Sequence, residues 1–224
     1  MKKTWNAEEK LQYERALYAQ GCRSIAGVDE VGRGPLAGPV VAAACILPDN
    51  IRIEGLDDSK KLSEKKREKL FDEIKEKAIS YCIAMSTPEE IDEINILEAS
   101  LLAMRRAIDG LNIKPDLALI DGNIDRGFQI PAKAVIGGDA TSQSIAAASI
   151  LAKVERDRIC LELDKEFPLY NLKKHKGYPT KEHKLAVFEY GPSPIHRKSF
   201  LSFLERDKEK LQNWLDEKRN KANE

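Results

Sequence analysis

Short apolar runs alternate along the chain with stretches in which apolar residues recur at helical spacing. Five of the runs predict β-strands, at residues 25–28, 40–47, 81–85, 115–121 and 132–136. The second run is apolar throughout, which is typical of a strand buried on both faces. Strands that alternate with helices predict an α/β protein built on a mixed five-stranded sheet flanked by helices.

Helix start and stop signals lie before and between these strands. A cap at Asn6 predicts a short amphipathic helix that ends near Gly21. A second helix carries its apolar stripe over residues 70–78. A third begins at Thr87, where a proline and Glu90 follow in capping-box order, and is predicted to continue to Gly110.

The second half of the chain is predicted to be mostly helical. A helix should run from Thr141 to about Leu163, and small residues at 146–148 permit close packing against a neighbour. From about residue 165 to 224 we expect a helical C-terminal extension with a terminal amphipathic helix. We therefore expect one domain over residues 1–224, with the N-terminal helix in residues 1–24.

Composition argues against a membrane protein and gives no net electrostatic signal. Of the 224 residues, 42% are hydrophobic and 33% are charged, and 37 basic residues balance 37 acidic ones. No apolar run reaches the roughly 20 residues of a membrane span, and residues 1–6 lack the apolar core of a signal peptide. We therefore expect a cytoplasmic protein. The four cysteines form no C-x-x-C pair, which favours buried free thiols over disulfides or a zinc site.

The densest candidate chemistry lies in residues 25–39. Two adjacent carboxylates, Asp29 and Glu30, end the first strand, and a Gly-Arg-Gly segment at 32–34 follows. Because side chains alternate along a strand, both carboxylates can serve one site only where the backbone turns, and we expect the glycines to supply that turn. A dinucleotide-binding loop does not fit the G-x-G-x-x-x-G spacing. These residues alone leave open an exposed β-turn and half of a metal site.

Two further strands also end in acids. Asp121 follows the fourth strand, and Asp139 follows the fifth after two glycines. Ligands of α/β sheets collect beyond the carboxyl ends of the strands, so we expect four carboxylates to meet there, namely Asp29, Glu30, Asp121 and Asp139. Carboxylates that lie close together repel each other unless a cation joins them, and Mg²⁺ or Mn²⁺ prefers such oxygen ligands. Four carboxylates can hold two ions about 4 Å apart, the spacing used for phosphoryl displacement.

Basic and aromatic residues are candidates for substrate contacts. Arg33, Lys60, Lys61 and the cluster at residues 173–176 could bind phosphates, although most surface Lys and Arg side chains are simply solvated. Tyr178 follows that cluster. Its ring is a candidate to stack on a base or a sugar, with a core tyrosine as the alternative.

Five motifs, in this order, closely resemble those of bacterial ribonuclease HII, a type 2 ribonuclease H. They lie at residues 26–38 (AGVDEVGRGPLAG), 58–62 (DSKKL), 120–123 (IDGN), 146–157 (AAASILAKVERD) and 175–180 (HKGYPT). The resemblance extends from about Leu11 to Phe200. Five ordered motifs are far more specific than any single glycine pattern.

The resemblance implies a ribonuclease H-like fold and hydrolysis of the RNA strand in RNA–DNA hybrids. It also implies incision 5′ to single ribonucleotides embedded in duplex DNA, with 5′-phosphomonoester products. The family's four metal-binding acids correspond to Asp29, Glu30, Asp121 and Asp139.

Substrate contacts follow from the same resemblance. The family's Gly-Arg-Gly motif, whose backbone reads ribose 2′-OH groups, corresponds to Gly32, Arg33 and Gly34, and its junction-sensing tyrosine to Tyr178. We further expect Arg33 to fix this loop or a phosphate, and Lys60 to hold a phosphate.

Other interpretations remain beside this one. Ribonuclease HIII, a relative with broader hybrid cleavage, carries an extra N-terminal substrate-binding domain, whereas only about two dozen residues precede Ile25 here. A catalytically silent nucleic-acid-binding module is the alternative from another class, but all four acids are present. At the C-terminus, residues 212–215 (QNWL) are a candidate sliding-clamp peptide, although their pattern favours a docked helix with Trp214 buried.

Overall fold

The sheet has five strands, as the apolar runs predict. The computed structural model describes residues 8–49 and 51–222, so the predicted cap at Asn6 lies outside the described residues. The strands are β1 Ile25–Val31, β2 Val40–Ile46, β3 Ser80–Ser86, β4 Leu117–Asp121 and β5 Ala132–Val135. Their order in the sheet is β3-β2-β1-β4-β5. β1, β2 and β3 pair antiparallel, whereas β1, β4 and β5 run parallel and so end at the same edge.

Helices connect and cover these strands. Those of the first half of the chain are α1 Gln12–Ala19, α2 Glu64–Lys77 and α3 Pro88–Asp109. Those of the second half are α4 Gly138–Thr141, α5 Gln143–Glu166, α6 Leu172–His175, α7 Lys181–Tyr190, α8 Phe203–Arg206 and α9 Lys208–Ala222. Short 3₁₀ turns lie at Glu9–Leu11, Ser59–Lys61, Pro168–Tyr170 and Lys198–Phe200.

The sheet is buried on both faces. α3 packs its apolar side chains on one face, and α2 and α5 pack on the other. The predicted small residues at 146–148 are fully buried against the sheet. A Cβ atom at Gly27 would overlap the backbone of Ser144 and Ile145, so glycine at this position of β1 is what lets α5 lie directly against the strand.

The predicted helix from Thr87 to Gly110 is present, with one interruption that the pattern does not predict. The capping box of Thr87 and Glu90 is present, but Asn95 interrupts α3 with φ 68° and ψ 165°. The Asn95 side-chain oxygen accepts hydrogen bonds from the backbone N–H groups of Leu97 and Glu98, at 2.9 and 3.2 Å. Asn95 therefore caps a new helical segment after the break, a role that suits its tolerance of positive φ.

The C-terminal helices form a separate apolar cluster beside the sheet. Leu211 and Leu215 of α9 are buried, and Trp214 is half-buried with the Lys181 ammonium 4.6 Å from its ring. The predicted docked helix is therefore confirmed, although Trp214 is less buried than expected. The four cysteines are free thiols; Cys45 and Cys160 are buried, as predicted, whereas Cys22 and Cys82 are only partly buried. Across the described residues, every helix is too short or too polar to cross a membrane.

Candidate active site

Acidic residues gather where the parallel strands β1, β4 and β5 end. Val28 pairs with Ile120 in the last register of β1 with β4, so Asp29 and Asp121 are the next residues on neighbouring strands. Asp139 lies in the first turn of α4, which follows β5, and its backbone N–H donates to Asp121 Oδ1 at 3.3 Å. The sheet topology thus brings together acids from three separate parts of the sequence.

β1 continues to Val31, past its predicted end at Val28, and the chain turns at Gly32, one of the glycines expected to supply the turn. Asp29 and Glu30 lie inside β1, which stays paired with β2 as far as Val31, so their side chains leave on opposite faces. Asp29 is buried on the α5 side, near Ser149, whose hydroxyl donates to the Ser59 hydroxyl at 3.0 Å. Glu30 lines a small cavity of about 110 Å³ on the α3 side, together with Asp121.

Repulsion and desolvation act together on this cluster. Burial raises the pKa of Asp29 well above its usual value, and the charges of Glu30, Asp121 and Asp139 raise it further. Burial also raises the pKa of Glu30 and of Asp139, with Asp121 adding repulsion to both. A cation would stabilise the ionised forms of Asp29, Glu30 and Asp139, whose pKa values are raised in this cluster.

The donor set fits a hard divalent ion in its chemistry. All of the candidate ligands are carboxylates, the ligands that Mg²⁺ and Mn²⁺ prefer. Within residues 8–49 and 51–222, no three His, Cys, Asp or Glu side chains converge closely enough to hold an ion as they stand. The opposite directions of Asp29 and Glu30 are one reason for this separation.

The two candidate lysines differ in their surroundings. Partial burial alone would lower the pKa of Lys60, but the carboxylates of Asp58, Asp29, Asp139 and Asp121 raise it overall, which places its ammonium beside the acid cluster. Lys61 instead pairs with Asp57 at 3.2 Å and is half exposed. In the basic cluster at 173–176, Lys173 and Lys174 pair with the acids of α5 and α7.

The Gly-Arg-Gly segment leaves the end of β1 in a conformation that requires glycine. Gly32 has φ +96°, and a Cβ atom there would collide with the Arg156 guanidinium. The Arg33 side chain is exposed and lies 3.5 Å from Glu30 Oε1. Among the described residues it makes no hydrogen bond to the loop, which is held instead by the buried guanidinium groups of Arg156 and Arg197.

Tyr178 lies beside this segment. A Cβ atom built on Gly34 would be 3.7 Å from Tyr178 Cε1, and the Arg156 guanidinium carbon is 5.9 Å from the centre of the tyrosine ring. The ring is partly exposed, which is not the environment of a core tyrosine. The structure thus places Gly34 and Tyr178 side by side.

A family model described as Ribonuclease HII matches residues 26–203, most of the chain. The chain belongs to the ribonuclease HII family. Among curated relatives, ribonuclease HII of Desulfitobacterium hafniense is 56% identical over 86% of this chain and 74% of its own length. That of Caldicellulosiruptor saccharolyticus is 54% identical over 87% of this chain and 95% of its own length. Members of the ribonuclease HII family are hydrolases that act on the RNA of RNA–DNA hybrids, so this chain is an enzyme.

Solved structures support the same fold. Ribonuclease H2 from Pyrococcus horikoshii OT3 is 31% identical, with a TM-score of 0.69 over 85% of this chain and 99% of that one. The ribonuclease HII of Archaeoglobus fulgidus, solved in complex with PCNA, is 27% identical, with a TM-score of 0.62 over 79% of this chain and 94% of that one. A Bst-RNase HIII solved with Mn²⁺ is 18% identical and shares the fold alone. Ribonuclease HII, rather than the alternative ribonuclease HIII, is therefore the family.

Two residues of this ribonuclease HII family member were missed as site residues. Arg156 lies within a motif noted above and Arg197 within a basic segment, but neither was predicted to be buried. A sequence signal for the burial of Arg156 exists. Ala152 and Cys160, one helical turn before and after it in α5, are small or apolar, and both are fully buried. Those neighbours place Arg156 on the inner face of the helix.

Proposed function

We propose that this enzyme incises duplex DNA 5′ to a single embedded ribonucleotide, in addition to hydrolysing the RNA strand of hybrids. The observation that carries the proposal is the arrangement at one edge of the sheet. There, the end of β1 contributes Asp29 and Glu30 and leads directly into the Gly32–Gly34 segment, beside which Tyr178 lies. The candidate metal ligands Asp29 and Glu30 are thus only a few residues from the glycine segment suited to recognising a ribose.

The acids Asp29, Glu30, Asp121 and Asp139 would hold two Mg²⁺ or Mn²⁺ ions. When bound, such ions supply an activated water and stabilise the leaving oxygen of an in-line displacement, which leaves a 5′-phosphomonoester. Asp29 is the buried member of the set. Asp121 lies between the others, because it is next to Asp29 across the sheet and accepts from the Asp139 N–H.

We expect the backbone of residues 32–34 and the ring of Tyr178 to bind the substrate. The 2′-OH is the only group that distinguishes a single ribonucleotide from its DNA neighbours. Glycines at positions 32 and 34 let the main chain approach that hydroxyl without a Cβ atom between them. The Tyr178 ring would stack on the adjoining sugar or base, and the Lys60 ammonium, close to the acids, would hold a phosphate.

Asp29→Asn separates catalysis from binding. We expect this variant to lose cleavage of a hybrid and of a one-ribonucleotide duplex, but to bind both with parent-like affinity, because only a metal ligand is removed. Glu68→Gln is a matched control, since Glu68 is an exposed partner of Arg158, and should cleave like the parent. Equal cleavage by Asp29→Asn and the parent would contradict the metal role. Absence of metal-dependent cleavage in the parent would favour a silent binding module.

A sliding clamp is a second proposed partner, suggested by the relative solved in complex with PCNA. In residues 212–215 of this chain, Leu215 is buried, Trp214 is half-buried, and Gln212 and Asn213 are exposed. We expect truncation after Arg206 to abolish clamp binding, and Gln212→Ala, which keeps the packing of Leu215, to weaken it while cleavage persists. Clamp binding that survives both changes would contradict a contact through this helix.

A further inference from the structure

Two arginines lie fully buried beneath the loop that follows β1. Arg156 of α5 and Arg197 of the C-terminal segment are the largest side chains with no exposed surface. Neither has a carboxylate within ion-pair distance among the residues that the structure describes. Burying an unpaired charge is costly unless its N–H donors are all used. The hydrogen-bond acceptors of Arg156 and Arg197 therefore show which parts of the chain each guanidinium holds in place.

Arg197 donates hydrogen bonds to backbone carbonyls at the start of the loop, in residues 32–33, and at its end, at Gly38. Its Nη2 donates to Gly32 O at 2.6 Å, and its Nη1 donates to Arg33 O at 3.0 Å. Its Nε and Nη2 also donate to Gly38 O, at 3.0 and 2.8 Å. One planar group therefore fixes the two peptide units at the centre of the Gly-Arg-Gly segment and the point where the loop returns.

The hydrogen bonds from Arg197 determine the direction in which the backbone N–H groups of the loop point. A peptide unit is planar and trans, so its N–H points opposite to its C=O. Because the Gly32 and Arg33 carbonyls face Arg197, the N–H groups of Arg33 and Gly34 face away from it. Neither N–H has a hydrogen-bond partner within the described part of the chain. A guanidinium on the carbonyl also polarises the peptide and strengthens its N–H as a donor.

Arg156 connects the same loop to Tyr178. Its Nε donates to Pro39 O at 3.1 Å and its Nη2 to Ala37 O at 3.3 Å. Its Nη1 donates to Lys176 O at 3.0 Å, two residues before Tyr178, and the tyrosine ring lies over the guanidinium. A single rigid group thus spans the loop and the segment that carries the ring.

We propose that Arg156 and Arg197 are positioning residues for ribonucleotide selection. Together they set the direction of the Arg33 and Gly34 amides and the distance from those amides to the Tyr178 ring. The amides would then donate to an oxygen of the ribonucleotide while the ring stacks beside it. This inference rests on the proposed incision at single ribonucleotides and adds the groups that hold its recognition elements in place.

Arg197→Lys and Arg156→Lys test the proposal, because lysine keeps the charge but loses the planar fork. The readout is kcat/KM on a one-ribonucleotide duplex divided by kcat/KM on a long RNA–DNA hybrid. We expect that ratio to fall by about 10- to 100-fold in each variant, the effect of losing one or two hydrogen bonds to a charged group, while the Mg²⁺ concentration for half-maximal activity stays unchanged. Arg158→Lys, on the exposed side of α5, is the matched control and should keep the ratio.

The possible outcomes separate this inference from the proposed function. Equal losses on both substrates would show a purely structural role and overturn the inference. A parent that cleaves the hybrid but not the one-ribonucleotide duplex overturns the proposed function, and the inference with it.

A second measurement on the parent protein covers the case in which the variants do not fold. Hydrogen exchange of the Arg33 and Gly34 amides is followed in EDTA, which prevents cleavage. A duplex with one ribonucleotide should protect these amides more than the same duplex made entirely of DNA. Equal protection by the two duplexes would overturn the proposal.

Discussion

The buried histidines predict an acid sensitivity that follows from their hydrogen bonds. His183 Nδ1 lies 3.0 Å from the Tyr178 carbonyl oxygen, which can only accept, so Nδ1 carries a proton. His183 Nε2 must then accept from His196 Nε2, 3.1 Å away, and His196 Nδ1 accepts from the Ser193 backbone N–H at 3.1 Å. Both rings are therefore neutral in this relay, which ties the Ser193 segment to the main chain at Tyr178.

Protonation of either ring would break the relay. Burial lowers the pKa of His183 and of His196 from 6.5 to about 4. Between those values the unfolded chain binds more protons than the folded one, so stability falls as the pH falls through this window. Each histidine should remove about 2 kcal/mol from the free energy of unfolding between pH 7 and pH 5.

The acid cluster has the opposite effect on how stability depends on pH. Because burial raises the pKa of Asp29, Glu30 and Asp139, the folded protein takes up their protons first, which favours folding as the pH falls. The pH dependence of the parent alone is therefore not diagnostic. A comparison with His183→Gln removes one histidine and leaves the acids unchanged.

We expect the stability of the parent, relative to His183→Gln, to decrease by about 2 kcal/mol between pH 7 and pH 5. The free energy of unfolding would be measured by urea denaturation in EDTA at both pH values. Glu68→Gln serves as a surface control and should follow the parent. Parallel pH dependence of the parent and His183→Gln would refute the neutral relay.

Three other predictions follow from the packing and charges. Asp29→Asn should raise the Tm of the metal-free protein, because it removes a desolvated and repelled charge; a lower Tm in EDTA would argue against that repulsion. Lys60→Ala should reduce kcat/KM by about tenfold or more through loss of a phosphate contact, whereas Lys61→Ala, whose partner is Asp57, should change cleavage only slightly. Steady-state kinetics would show equal losses if both lysines faced the substrate. Gly27→Ala should lower the free energy of unfolding by at least about 3 kcal/mol, because its methyl group would overlap α5; calorimetry that finds a parent-like Tm would contradict this contact.

Much of the fold follows from local pattern. A strand buried on both faces leaves a continuous apolar run, which is why β2 was placed within one residue of its true end. The capping box at Thr87 is equally local and was also predicted correctly. The end of β1 is different, because it depends on pairing with β2 as far as Val31 and Val41. That Asp29 and Glu30 both lie inside the strand, and so on opposite faces, could therefore not be predicted from their local sequence.

The arginines beneath the loop show a second limit. An arginine in a sequence is most often solvated, and the partners of Arg156 and Arg197 are backbone carbonyls far away along the chain. Main-chain oxygens carry no sequence signal. Only the folded chain shows that Arg197 holds the Gly32–Gly34 segment and that Arg156 holds the residues that follow it, whereas the sequence suggests Arg33 for this role.

The central claim is that the acids at the sheet edge and the loop beside them cut DNA at a single ribonucleotide. The most direct measurement is cleavage of an end-labelled DNA duplex that contains one ribonucleotide, in Mg²⁺, in Mn²⁺ and in EDTA. We predict one product, cut 5′ to the ribonucleotide, with either ion and none in EDTA. No product with either ion, or cleavage that persists in EDTA, would contradict the account.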